Sequence, residues 1–211
     1  MRLLVLDTAL GACSAALAED GRVIAARSEP MLRGHQERLA DLVSELMAEA
    51  AAGFAGLDRI GVTIGPGSFT GLRVGLAFAK GLGAALGIPV TGVGTLQALA
   101  ASAETGRLTA AVIDARREQV YIQYFKEITA IQPAAAVIVD DAVEQLINIE
   151  SFGPTGLVGP GAALLAQRFP KAAIDSRAAP DLAAIARLAA GEPIAPAEPL
   201  YLRAADAKLP A

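Results

Sequence analysis

A glycine-rich segment between a predicted strand and a predicted helix is the first place in this sequence where chemistry could occur. Residues 65–75 read Gly-Pro-Gly-Ser-Phe-Thr-Gly-Leu-Arg-Val-Gly and follow the apolar run 60–64. Main-chain N–H groups and the helix dipole could hold an anion there, with Gly65, Gly67 and Ser68 as candidate ligands. The segment lacks the Lys-Ser/Thr pair of a Walker loop and the glycine spacing of the dinucleotide fingerprint. A tight structural turn and an anion site both remain open.

Asp7 and Thr8 are a second candidate, because they follow the first predicted strand directly. Asp7 could orient a metal-bound water or a phosphate, or it could serve only to form the turn. His35 is the only histidine, which excludes a multi-histidine metal site, and at a helix start we expect it to be a polar surface residue. Cys13 is the only cysteine, so an internal disulfide and a thiolate-only zinc site are excluded, and we expect an inert core residue.

The elements that must position these residues are predicted from apolar runs and their spacing. Residues 2–7 and 13–18 predict strands, and the Glu-Asp-Gly turn at 19–21 leads into a third strand. Apolar residues recur every three or four positions between 35 and 54, which predicts an amphipathic helix. A second helix is predicted over 71–86, followed by another strand. The order β-β-β-α-β-α-β is typical of a mixed sheet covered by helices.

The second predicted helix carries a ridge of small residues. Gly71, Gly75, Ala79 and Gly83 are spaced four apart, so one side of the helix has almost no side chains. Glycine inside a helix costs about 1 kcal/mol relative to alanine, so this many glycines should be compensated by close packing. The partner backbone could belong to the same chain or to another subunit.

The second half of the chain predicts a smaller domain of the same kind. Strands are predicted at 109–114 and 119–125 and near 135–139, and helices near 140–147, 161–168 and 180–190. We therefore divide the chain into domains 1–104 and 105–211, with the C-terminal segment as a candidate to pack back on the first. Three prolines within 192–199 predict an irregular connection.

Composition excludes several functional classes. Apolar residues make up 54% of the 211 residues, yet no run approaches the ~18 apolar residues that span a membrane. Asp7 interrupts the apolar run at the start of the sequence, which is therefore too short for the apolar region of a signal peptide. We therefore expect a cytoplasmic protein that has no membrane partner. The 18 Lys and Arg do not exceed the 22 Asp and Glu, so the chain lacks the cationic surplus of a nucleic-acid-binding domain.

Several segments, in order along nearly the whole chain, resemble the TsaB (YeaZ) family. They are Leu-Asp-Thr-Ala at 6–9, Ala-Cys-Ser-Ala-Ala-Leu at 12–17, the glycine segment 65–75, Asp-Ala-Arg at 114–116 with Val-Tyr at 120–121, and Pro-Leu-Tyr-Leu-Arg at 199–203. The glycine segment is the most specific of them. The resemblance implies an α/β fold of two related domains, of the actin-like, sugar-kinase-like (ASKHA) class that also contains TsaD.

The resemblance also implies a function and partners. It implies an activating, non-catalytic subunit of the tRNA N6-threonylcarbamoyladenosine (t6A) transferase, paired with a TsaD-type catalytic subunit and assisted by a TsaE-type ATPase. The free chain could form a homodimer, and tRNA would be contacted through the complex. Two N-terminal helices are the expected TsaD contact, with these candidate interface residues: Leu39, Leu42, Leu46, Gly71, Arg73, Gly75, Ala79 and Gly83.

Comparison with TsaD-like enzymes implies that this chain has no catalytic residues and no cofactor of its own. Their His-x-x-x-His metal pair is matched here by Thr95 and Leu99, which cannot replace two imidazoles. The second phosphate turn, usually Asp-x-Gly, is matched by Asp-Ala-Arg at 114–116, where side chains would crowd a nucleotide. Metal and ATP are therefore expected on the partner subunits. The alternatives are a glycoprotease-like metallopeptidase, which needs a metal site, and an actin-like small-molecule kinase, which needs both phosphate turns.

Overall fold

The first domain is a five-stranded sheet with helices on both faces. The computed structural model describes residues 1–50, 53–103, 108–149 and 155–203. Its first elements are β1 (Arg2–Asp7), β2 (Ala12–Glu19), β3 (Arg22–Pro30), α1 (His35–Ala48), a 3₁₀ turn (Gly53–Gly56), β4 (Arg59–Gly65), α2 (Phe69–Leu86), β5 (Val90–Gly94) and α3 (Thr95–Ser102). The strand order is β3-β2-β1-β4-β5. Strands β1 to β3 are antiparallel neighbours, whereas β4 and β5 run parallel to β1.

The second sheet repeats this arrangement. Its elements are β6 (Leu108–Arg116), β7 (Gln119–Lys126), β8 (Thr129–Ala130), β9 (Ala135–Ile138), α4 (Val139–Ile149), β10 (Thr155–Val158), α5 (Ala162–Ala166), β11 (Ala173–Asp175) and α6 (Leu182–Ala189). Strand β7 pairs antiparallel with β6 and β9, and β10 and β11 run parallel to β6. The path β9-β7-β6-β10-β11 therefore matches β3-β2-β1-β4-β5, strand for strand and direction for direction. The two sheets are versions of one fold, as the sequence predicted.

Four apolar cores stack these sheets and helices in layers. One core fills the space between the first sheet and the helices α1 and α2, and a second lies between that sheet and α6. Helix α3 covers one face of the second sheet, and α4 and α5 cover the other. Because α3 also packs against α6, these two helices form the layer between the sheets.

The C-terminal helix belongs to the packing of the first domain. Helix α6 lies across the first sheet, with Ile185, Ala186 and Ala189 buried against it. Arg59 of β4 donates hydrogen bonds at 3.0 Å to the carbonyls of Ala189 and Gly191, which fixes the end of α6. Helix α6 and Gly191 are thus in contact with the first sheet. The predicted boundary at 104/105 lies outside the described residues.

Several element predictions differ from the structure. Helix α1 ends at Ala48 rather than near 54. Helix α3 and the short strands β10 and β11 were not predicted, because three to eight mostly apolar or small residues show no clear period. Residues 192–199 are irregular, as predicted. None of the helices that the structure describes is long and apolar enough to cross a membrane.

Candidate functional site

Asp7 is buried at the end of β1 and organises the β1–β2 turn. Its Oδ1 accepts hydrogen bonds from the main-chain N–H of Ala9 at 3.0 Å and from the Thr63 hydroxyl at 2.7 Å. Burial raises the pKa of the Asp7 carboxyl, opposed by these two hydrogen bonds and by nearby His35. Its Oδ2 has no hydrogen-bond partner among the described residues. Oδ1 therefore organises the turn, and the orientation of a metal-bound water or a phosphate by Asp7 stays a prediction.

The glycine loop between β4 and α2 packs against that same turn. The N–H of Ser68 donates to the Ala9 carbonyl at 2.7 Å, and the Ser68 hydroxyl caps α2 by accepting from the N–H of Gly71 at 3.2 Å. A Cβ on Gly67 would collide with the Ala9 carbonyl. Gly65 has a φ of 111°, a conformation that favours glycine. These contacts favour a tight structural turn over an anion site, because the N–H of Ser68 already has a protein partner.

The small-residue ridge of α2 is packed inside the chain. A Cβ on Gly71 would collide with the Thr8 carbonyl, one on Gly75 would lie 2.5 Å from Thr8 Oγ1, and one on Gly83 would lie 2.5 Å from a methyl of Val90. Ala79 is fully buried. The ridge therefore lets α2 lie close to β1, β4 and β5. These four residues are inaccessible to another subunit, which corrects the expectation that they form the partner interface.

Two further expectations about α1 are wrong. Leu39, Leu42 and Leu46 are at most 1% exposed and belong to the core under the first sheet, so they offer a partner almost no accessible surface. His35 is only 5% exposed, and its Nε2 has no hydrogen-bond partner among the described residues. The physical reason is helical phase, since residues spaced four and seven apart share one face and His35 shares the face of Leu39 and Leu42.

The outer surfaces of α1 and α2 meet in an open groove, with buried Leu39 at its floor. Its volume is about 500 Å³, and its lining residues are Gln36, Leu39, Ala40, Phe69, Thr70, Arg73, Val74, Ala77 and Phe78. Phe69 is 49% exposed, and the guanidinium of Arg73 lies 3.7 Å from its ring centre. Of the predicted interface residues, Arg73 is the one that is exposed. The sequence signal for this face was the spacing of Phe69, Arg73 and Ala77, four apart on the side of α2 away from the glycines.

A cleft of about 680 Å³ separates the two domains. The β1–β2 turn and the glycine loop, represented by Ala9 and Gly67, line one wall, and Asp114 and Tyr121 line the other. Asp114 accepts a hydrogen bond from the N–H of Arg116 at 2.7 Å, and the Arg116 guanidinium is 3.5 Å from it. Side chains thus occupy the second wall at the place where glycine is usual in the phosphate turn.

The two residues that the resemblance matched to the metal pair of TsaD-like enzymes lie in the core. Thr95 and Leu99 are one turn apart on α3 and fully buried, and Leu99 packs in the core against the second sheet. In the part of the chain that the structure describes, no group of three or more His, Cys, Asp or Glu side chains could hold a metal ion. Cys13 lies in the core, where burial raises the pKa of its thiol to about 11, which agrees with an inert residue.

The sequence matches known proteins over most of its length. The family model described as TsaD, tRNA N6-adenosine threonylcarbamoyltransferase, matches residues 28–205. An uncharacterized protein of Mycobacterium tuberculosis is 37% identical over 98% of this chain and 93% of its own length. The tRNA threonylcarbamoyladenosine biosynthesis protein TsaB of Escherichia coli is 37% identical over 57% of this chain and 53% of its own length.

Solved structures agree with both the family and the fold. A Pseudomonas aeruginosa protein described as similar to the peptidase YeaZ superposes with a TM-score of 0.81 at 32% identity, covering 96% of this chain and 99% of that one. The activator of 2-hydroxyisocaproyl-CoA dehydratase from Clostridium difficile, with bound ADPNP, reaches a TM-score of 0.50 at 9% identity, covering 89% and 92%. The second likeness supports the actin-like fold class alone. The chain therefore belongs to the TsaB/YeaZ family, within the wider family that the TsaD model describes.

Proposed function

We propose that this chain is the non-catalytic, activating subunit of a tRNA threonylcarbamoyladenosine (t6A) transferase, bound to a TsaD-type catalytic subunit. The observation that carries the proposal is the match of residues 28–205 to the TsaD family model, together with Thr95 and Leu99 at the positions that the resemblance assigns to the metal ligands of TsaD-like enzymes. TsaB relatives named as t6A biosynthesis proteins support the pathway.

The non-catalytic part of the proposal is supported by donor chemistry. Thr95 offers one neutral hydroxyl and Leu99 offers none, so this helix cannot supply the ligands that two imidazoles provide. A phosphate bound in the cleft would have to compete with existing contacts, since the N–H of Ser68 donates to the Ala9 carbonyl and Asp114 is paired with Arg116. We expect metal and ATP to be bound by the partner subunits, with a TsaE-type ATPase completing the complex.

The groove between α1 and α2 is the surface that best suits a TsaD-type partner. It joins exposed small residues, Ala40 and Ala77, to a large exposed ring, Phe69, and one cation, Arg73. Such a mixture of aromatic and arginine side chains is typical of interface cores, and the small residues allow a partner helix to approach closely. A second copy of this chain could use the same groove when TsaD is absent. The chain has no excess of cations, so tRNA contact is expected through the complex.

A reconstituted threonylcarbamoylation assay tests this function. Unmodified tRNA is incubated with the cognate TsaD-type and TsaE-type proteins, ATP and threonylcarbamoyl-adenylate, with and without this chain, and t6A is quantified by mass spectrometry. Modification that requires the chain, together with none from the chain alone, is the expected result. Equal modification without it, or modification by the chain alone, would overturn the proposal.

A further inference from the structure

The C-terminal segment follows the first domain as far as the glycine loop. The N–H of Gly92 in β5 donates to the Ala195 carbonyl at 3.0 Å, and Lys80 of α2 pairs with Glu198 at 2.7 Å. The N–H of Leu200 then donates to the Ile64 carbonyl at 2.7 Å, beside the end of β4. These three contacts all join the segment to the first domain.

Tyr201 fastens the segment to the start of α2. Its hydroxyl accepts a hydrogen bond from Arg73 Nε at 3.2 Å, and its ring centre is 5.5 Å from that of Phe69. A Cβ on Gly65 would lie only 2.8 Å from the carbonyl oxygen of Leu200, so the segment packs directly on the glycine loop. Leu200 and Tyr201 are therefore anchored on the first domain, at the glycine loop and at the start of α2.

Arg203, only two residues later, is anchored on the second domain. Its guanidinium donates to the carbonyls of Ala115 at 2.7 Å and Arg116 at 3.3 Å and to the side-chain oxygen of Gln119. It also lies 5.8 Å from the ring centre of Tyr121, which lines the cleft. One side chain thus holds three acceptors of the β6–β7 hairpin.

That hairpin turn has an unusual backbone. Arg116, Arg117 and Glu118 have φ angles of 64°, 52° and 59°, a left-handed conformation that non-glycine residues rarely adopt. Such a conformation persists where its surroundings hold it in place. Arg203 binds the carbonyls of Ala115 and Arg116 and is therefore part of what holds this turn.

We propose that residues 200–203, which we call the strap, fix the angle between the two domains and keep the cleft closed along one side, with Arg203 as the latch. The strap joins the glycine loop to the β6–β7 turn, and each of these supplies part of one wall of the cleft. The domains are also linked by the packing of α3 against α6, and by Leu10 and Gly11 of the β1–β2 turn, which contact the core beside Tyr121 and the Ala178 carbonyl. The α3–α6 packing can serve as the axis of a domain rotation. Releasing Arg203 leaves the strap attached to the first domain only and lets the cleft open.

The test measures the distance between the domains in the full chain. Buried Cys13 is replaced by alanine, spin labels are attached at Arg22→Cys in β3 and Glu144→Cys in α4, and the labelled chain is diluted with unlabelled chain so that only distances within one molecule count. We expect one narrow distribution for the parent and a broader, shifted one for Arg203→Ala. Hydrogen exchange of the β6–β7 turn should become roughly tenfold faster in Arg203→Ala.

Lys80→Ala is the matched control, because it removes a cation bound to the same segment within the first domain. Its distance distribution and turn exchange should equal those of the parent. Arg203→Lys keeps the charge but not the fork of donors and should give an intermediate width, which provides a result even if Arg203→Ala does not fold. An unchanged distribution in the Arg203 variants, or equal broadening in Lys80→Ala, would overturn the latch.

Discussion

Thr8 and Gly71 join the β1–β2 turn to the start of α2 through contacts in both directions. The Thr8 hydroxyl donates to the Gly71 carbonyl at 2.7 Å, and the Thr8 carbonyl faces Gly71 so closely that a Cβ would collide with it. The glycine at this position is therefore a packing requirement. The contact explains why α2 carries small residues at every fourth position of its inner face.

Gly71→Ala should destabilise the fold, because the added methyl must displace the main chain of Thr8 rather than a flexible side chain. We expect a loss of about 2 kcal/mol in the free energy of unfolding, measured by urea denaturation. Gly81→Ala is the matched control in the same helix, since Gly81 is exposed and a Cβ there meets nothing within 4 Å. It should stabilise the chain by about 0.5–1 kcal/mol. Equal effects of the two substitutions would contradict the packing explanation.

Asp7→Asn should stabilise the protein at neutral pH. Burial raises the pKa of the Asp7 carboxyl, so the folded chain binds this proton more tightly than the unfolded chain does. The stability of the parent must therefore fall as the pH rises from about 3.9, the ordinary Asp value, through the raised folded pKa. Asparagine keeps an oxygen acceptor for Ala9 and Thr63 without the buried charge.

We expect Asp7→Asn to exceed the parent by about 1–2 kcal/mol in the free energy of unfolding at pH 7. The advantage should shrink as the pH is lowered towards about 4, where the parent carboxyl is protonated. The control is Asp41→Asn on the exposed face of α1, which should change stability little at either pH. A less stable Asp7→Asn protein at pH 7 would contradict this prediction.

Arg59→Met should weaken the attachment of α6. The Arg59 side chain is 8% exposed and donates to Ala189 and Gly191, so its loss leaves carbonyls without their donor. We expect a loss of about 2 kcal/mol in the free energy of unfolding, and faster hydrogen exchange in α6. Arg38→Met is the control and removes ion pairs with the more exposed Glu29 and Glu45. It should leave the midpoint of urea unfolding nearly unchanged, because solvent screens those pairs. A larger effect at Arg38 would reverse this interpretation.

Ala40→Glu and Ala77→Glu should each block pairing with the TsaD-type subunit. Both residues are exposed in the groove between α1 and α2, and a charge there would be buried against the partner. We expect binding at least roughly tenfold weaker by calorimetry, or about 1.4 kcal/mol, with unchanged thermal stability of the free chain. Ala173→Glu, exposed on β11 in the second domain, is the control and should bind normally. If all three variants bind alike, the partner uses another surface.

The sequence predicted the family and the order of most elements because those depend on local patterns. Strands β1 to β3, helix α2 and the irregular region 192–199 follow from apolar runs, turn residues and proline. The prediction that His35 lies at the surface was wrong. The polar ring suggested exposure, but its spacing of four and seven residues from Leu39 and Leu42 puts it on the buried face of α1. Helix α3 has only 8 residues, which is too short for a helical period to be recognised in the sequence.

Which residues touch, and across which surfaces, was decided by the tertiary structure. The sequence showed that one side of α2 carries only small residues. Such a side could pack against a strand of the same chain or against a helix of a partner. Only the fold shows that Thr8 and Val90 lie against it. The link from Arg203 to Ala115 joins residues 88 positions apart, which no local pattern encodes. Local propensity and periodicity act over a few residues, whereas an interface or a strap depends on the positions of whole elements, which become fixed only when the chain is packed.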